Sequence, residues 1–146
     1  MNRLQRIIKQ GAFIALCCTM AACASGPRFS EMSGTIPSLA ADSGRIYVYR
    51  TTVLGAAIQP SVKVNGEVVG SAVPDGFFYI DRPPGNYKIT TSTEVDRDLS
   101  LTLDAAQTRY VRLGISMGFF VGHVYPELVD DAQGQSDLGT LHYTAK

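Results

Sequence analysis

Asn65-Gly66 stands between two valine-bearing runs, SVKV and EVVG, and constrains the fold more than any other feature of the chain. A type I′ turn needs positive φ at both central residues, which Asn and Gly tolerate best, and its twist matches that of the strands it joins. The register imposed by such a turn puts Val62, Val64 and Val69 on one face of a hairpin. Residues from Arg45 onward follow in kind. Arg45 to Thr51 (RIYVYRT) is β-branched and aromatic, and in Leu99 to Leu103 the leucines alternate with Ser100 and Thr102. Thr108 to Ile115 repeats the alternation with Val111, Leu113 and Ile115 on one side. Phe77 to Asp81 runs into Arg82-Pro83-Pro84-Gly85, where prolines stop ladder pairing and glycine lets the chain reverse before a strand resumes at Asn86. No helical period competes. The expected fold is all-β: an antiparallel β-sandwich of about seven to eight strands, one domain covering residues 45–146.

The N-terminal region reads as an address. MNRLQRIIKQ is short and positive, and GAFIALCCTMAA after it is an apolar run ending in small side chains, as in a secretory signal peptide over residues 1–22. A permanent span needs about 20 apolar residues, so this run is too short for one. Met20-Ala21-Ala22-Cys23 resembles the bacterial lipobox, with cleavage between Ala22 and Cys23 and lipid on Cys23. Met20 stands where Leu is usual. Cys17 and Cys18 read as small apolar filler, since neither is preceded by small residues in the right places. No cysteine follows Cys23, so the expected exported domain has no disulfide to form. Two or three acyl chains, as such lipoproteins carry, imply durable membrane attachment. Ala24 after the cysteine, where Asp would favour inner-membrane retention, points to the outer membrane and a domain facing the periplasm. Residues 24–44 are rich in Ser, Gly, Ala and Pro and read as a flexible linker spanning on the order of 25 Å, or in part as an extended edge packed on the domain.

Without Arg3, Arg6 and Lys9 the chain keeps ten basic against thirteen acidic side chains, a net charge of about −3, so nucleic acid is not an expected partner. Catalytic signals are sparse. His123 and His142 are the only histidines, no G-x-S-x-G elbow or phosphate-binding glycine loop occurs, and no metal or cofactor is expected. Glu94, Asp96 and Asp98 alternate and suit either solvated turn carboxylates or a hard cation. Leu113 to Tyr125 carries Gly114, Gly118 and Gly122; read as a core strand bent at Gly118, it puts Leu113, Ile115, Met117, Phe119 and Val121 on one face. The spacing of Tyr47, Tyr49, Phe77 and Tyr79 suits either core aromatics or an outer sheet face for a ligand or partner.

The runs RIYVYRTTVLGAAIQPSVKVNGEVVG, GFFYIDRPPGNYKITTSTEV and YVRLGISMGFFVGHVYPELV resemble a family of uncharacterised bacterial lipoprotein domains, over roughly Arg45 to Leu138. PPGNYKI also resembles the Pro-Gly-x-Tyr-x-aliphatic corner of transthyretin-like and carboxypeptidase-regulatory sandwiches. The resemblance implies a sandwich and supplies no activity. The expectation is a membrane-tethered, non-catalytic envelope lipoprotein that binds another envelope protein or supports an assembly; the alternative is a small module for glycan, peptidoglycan or lipid.

Overall fold

The computed structural model describes residues 24–119 and 122–145; the expected signal peptide, the Ala22–Cys23 junction and the lipidation site Cys23 lie outside the described residues. Among the described residues nine strands form two sheets. The strands are β1 (Gly44–Arg50), β2 (Ser61–Val64), β3 (Glu67–Ser71), β4 (Gly76–Arg82), β5 (Gly85–Ser92), β6 (Asp96–Leu103), β7 (Thr108–Ser116), β8 (His123–Val129) and β9 (His142–Tyr143). One sheet has the order β8-β7-β1-β4-β9, and the other β3-β2-β5-β6. Two short α-helices, α1 (Phe29–Met32) and α2 (Asp131–Leu138), and a 3-10 turn over Ser33–Thr35 complete the described fold.

The valine hairpin forms as its turn requires. Asn65 and Gly66 have φ of 48° and 86°, Val62 and Val64 are buried, and Val69 packs against them beside a bulge in the pairing. The corner at Pro83-Pro84 carries the chain from β4 in one sheet to β5 in the other, and the Tyr87 hydroxyl closes it by donating to Pro83 O at 2.7 Å.

The antiparallel expectation needs correcting for the larger sheet, which is mixed. β1 pairs in parallel with β7, and β4 in parallel with β9. After β1 the chain makes a hairpin in the opposite sheet, returns as β4, crosses again for β5 and β6, and re-enters as β7 from the end where β1 began. It therefore runs in β1's direction. β9 is the strand beyond the expected number, and two residues are too few to show alternation.

We call the end of the sandwich where β1 finishes the upper end. The β1–β2, β3–β4, β5–β6 and β7–β8 connections all lie there, by the antiparallel registers and by Thr91 Oγ1 donating to Val124 O across the sheets.

Between the sheets lies the main core, with Ile46, Val48, Val62, Ile89, Leu103, Val111, Leu113 and Val124 buried. The outer face of the mixed sheet carries a second core of Tyr47, Tyr49, Phe77, Tyr110, Leu138 and Leu141. Two segments cover it. α2 crosses beneath Tyr110 and Tyr49, its glycine Gly134 lying so close to the Tyr110 ring that a Cβ there would clash with the ring carbons. The other cover is the stretch expected to be a linker. From Ala24, whose N–H donates to Pro74 O at the upper end, the chain runs past His142 and Tyr143 through α1. It then passes Pro37, whose carbonyl accepts from Arg45, and enters β1 at the lower end. Phe29 wedges edge-on between Tyr47 and Phe77, at 5.9 and 5.4 Å. The outer face of this sheet is apolar and needs a cover, so the stretch docks as a strap, as the packed-edge reading of 24–44 has it.

Asp130 caps α2 by accepting from Gln133 N–H at 2.9 Å. Asp130→Ala is expected to cost about 1 kcal/mol in a urea titration, as loss of an N-cap acceptor does.

Candidate functional site

The four aromatics singled out in sequence do share one face, but as core. Tyr47, Tyr49 and Phe77 are buried under the strap and α2, and Tyr79 is half-buried, with the Arg45 guanidinium 4.5 Å above its ring. Tyr47 stacks on Tyr110 at 5.5 Å with an 8° interplanar angle. The Tyr49 hydroxyl donates to Asp137 at 2.9 Å, and burial, then that carboxylate, hold its phenol protonated well above the usual range. An open aromatic platform for a ligand or partner is therefore absent from this face.

Glu94, Asp96 and Asp98 do not converge. Asp98 accepts from the Thr90 hydroxyl and from Lys88, which together hold its carboxyl below the usual range, and Asp96 accepts from Ser92. Glu94 turns to His123 Nε2 at 3.5 Å, while Thr93 Oγ1 sits 3.0 Å from Nδ1 of the same ring. Among the described residues no three His, Cys, Asp or Glu side chains are grouped to hold a metal. The hydroxyl, imidazole and carboxylate resemble a hydrolytic set in identity only. The imidazole is buried, and its two partners are consecutive residues of the β5–β6 turn, which it locks onto β8. His142 is spent on the strap, Nδ1 lying 2.7 Å from Gly26 O.

The clefts carry no better candidate. The largest described, about 790 Å³, lies beside Ala24 and Gly26 at the upper end and is lined by Val69, Gly70, Tyr143 and Thr144 without a charged group.

Sequence reasoning missed what distinguishes the upper end. Of the large apolar side chains exposed among the described residues, Val53, Leu54, Val95, Met117 and Phe119 belong to its loops; Val68 and Leu128 lie elsewhere. Met117 and Phe119 are 96% and 90% exposed. Leu113 to Tyr125 is thus two strands of a hairpin, not one bent strand. Its Met117 and Phe119 leave the face assigned to them for the tip, and Val121 lies outside the described residues. The signal was present as an apolar run bracketed by Gly118 and Gly122, where a turn would ordinarily be polar.

Arg50 holds this end in shape. It follows Ile46 and Val48 on the inward face of β1 and is fully buried. Its guanidinium has no carboxylate partner among the contacts described and donates to backbone carbonyls alone. Nη1 reaches Ile58 O at 2.7 Å and Ala72 O at 3.0 Å; Nη2 reaches Leu54 O and Gly55 O, and Nε reaches Thr52 O at 3.1 Å. Burial lowers its pKa, but a guanidinium stays charged at any working pH. Gly55, at φ 65°, and Gly122 both lie against Ile115, which seats the β1–β2 loop beside the β7–β8 hairpin.

Comparison with known proteins agrees with the resemblance in its coarser part, an uncharacterised bacterial domain family. An uncharacterized protein of Haemophilus influenzae is 26% identical over 145 residues, covering 95% of this chain and 86% of its own length. No solved structure matches, so the transthyretin-like likeness rests on the Pro83–Tyr87 corner alone. The family model described as a protein of unknown function (DUF2846) matches residues 40–124, which run from the end of the strap to the start of β8. The chain belongs to that family.

Proposed function

We propose that this chain is a bacterial lipoprotein, cleaved after Ala22, acylated on Cys23 and held at the outer membrane facing the periplasm, where its β domain serves as a non-catalytic interaction or structural module. The observation that carries this reading is the Met20-Ala21-Ala22-Cys23 sequence at the end of a basic and then apolar segment, next to Ala24, whose N–H is hydrogen-bonded to Pro74 O of the β domain. Two further facts support it. No cysteine occurs after Cys23 to compete for modification, and no helix among the described residues is long and apolar enough to cross a membrane. The non-catalytic half is supported by the enclosure of His123 and the dispersal of the acidic run. The glycan-binding alternative required exposed aromatics on the outer sheet face, and the strap and α2 cover them.

The test is mass spectrometry of the N-terminal peptide with fractionation of cells making the full chain. The expected result is an acylated cysteine as the first residue, protein in the membrane pellet, and transfer of Cys23→Ala to the soluble fraction, since stable anchoring needs two or more acyl chains. Finding Cys23 unmodified in a membrane-bound protein would remove the anchor from the proposal.

A further inference from the structure

We infer that the upper end of the sandwich is a lipid-docking surface, resting on the bilayer with Val53, Leu54, Val95, Met117 and Phe119 in its interface. This rests on the lipoprotein reading, whose anchor fixes which surface the domain meets. The observation behind it is a coincidence of place. Ala24, the first described residue, is hydrogen-bonded to Pro74 in the β3–β4 connection, so the strap starts at the same end as the apolar loops. The twenty-one residues expected to hold the domain off the membrane instead run down its side from the upper end to the lower. No spacer remains between Cys23 and the fold.

An acyl chain on Cys23 would then bring the upper end against the headgroups, where exposed large apolar side chains gain most from leaving water. The lower end contrasts with it in its turns, the exposed Val68 and Leu128 towards that end lying on strands β3 and β8. Its turns carry Asp42, Asn65, Gly66, Asp104, Gln107 and Asp130. Charge argues for apolar insertion rather than attraction to anionic lipid, because the upper end has no basic excess: Arg28, Arg97 and the buried Arg50 are matched by Asp75, Glu94 and Asp96. Docking is therefore expected to be insensitive to salt.

Apolar loops could also meet a protein, and one experiment separates the two occupants. The full chain carrying Cys17→Ala and Cys18→Ala is prepared as Met117→Cys and, at the exposed lower end, as Ala105→Cys. Each is labelled in isolated envelopes with a benzophenone maleimide, irradiated and analysed by mass spectrometry. Phospholipid adducts at position 117, unchanged in high salt and missing at 105, are the expected result. Protein adducts at 117, or equal lipid adducts at both positions, overturn the lipid-docking inference, as does a 117 label with no adduct of either kind. The same spectra report whether Cys23 is acylated. An acylated Cys23 with a lipid-free 117 leaves the anchor standing without the docking surface, while a Cys23 free of acyl chains, bare or carrying the maleimide, beside a lipid adduct at 117 leaves the docking surface without the anchor.

Discussion

Replacing Arg50 with methionine is expected to destabilise the domain by about 3 kcal/mol or more, among the largest single losses available to it. Methionine fills much of the same volume, so a cavity contributes little. The loss comes from the carbonyls of Thr52, Leu54, Gly55, Ile58 and Ala72, which all accept from one guanidinium. Deprived of it, they must either stay buried without donors or turn out to water by opening the β1–β2 loop. Opening limits the thermodynamic loss, and it predicts a second signature. Amide exchange over residues 52–58 rises far more than exchange in β6, which Arg50 does not touch. Arg50→Lys keeps the charge but offers three N–H groups, without the planar fork that serves several carbonyls at once, so it should fall between methionine and the parent. A methionine variant within about 0.5 kcal/mol of the parent in urea would show that water serves these carbonyls and that Arg50 is no strut.

Phe77→Ala is expected to cost about 3–5 kcal/mol, the range for emptying an aromatic site in a packed core. Phe77 is fully buried and joins three parts of the fold, lying 5.4 Å from Phe29 of the strap, 6.4 Å from Tyr47 of β1 and 5.5 Å from Tyr143 of β9. The substitution should therefore loosen the strap and β9, exposing the strap near α1 to limited proteolysis at denaturant concentrations that leave the parent uncut. The same experiment separates the two readings open in the sequence. An aromatic platform would lose binding and keep its stability, whereas a core aromatic loses stability. Chemical denaturation with an unchanged midpoint would return Phe77 to the surface role.

The parts of this fold legible in the sequence are those decided locally. Asn65-Gly66 specifies its turn, the turn sets the register, and the valines follow; the leucines of β6 show their inward face by alternation. β1 could not be read this way. Every residue from Gly44 to Arg50 is buried, because both faces of this central strand are covered, so polarity gives no inward side. Parity alone places Arg50 with Ile46 and Val48, and a charged residue there reads as a strand end at the surface until the surrounding carbonyls are seen. The parallel partnership with β7 depends on which sheet the intervening strands join, a decision made by the whole chain. The strap was hidden by its composition: Ser, Gly and Pro are frequent in it, and its attachment rests on Phe29 and Met32, on backbone contacts near Gly26, Leu141 and His142, and on Pro37 O accepting from Arg45. Among candidate site residues, the aromatics were grouped on the right face and the cover over them was missed, because that cover comes from residues distant in sequence.

The central place of β1 also governs the order in which the molecule can be completed. Its flanking partners are β4 and β7, and Arg45 waits for Thr108, more than sixty residues further along. A chain delivered N-terminus first can close the valine hairpin at once, yet it holds one edge of β1 unpaired until the last third arrives. Such non-local parallel pairing is slow, since loop-closure entropy is spent before any contact repays it. During that interval a strand rich in tyrosine and valine offers an open edge to neighbouring chains. Folding of this domain is thus expected to hinge on a late, single event, the seating of β7, and to be most vulnerable to aggregation just before it.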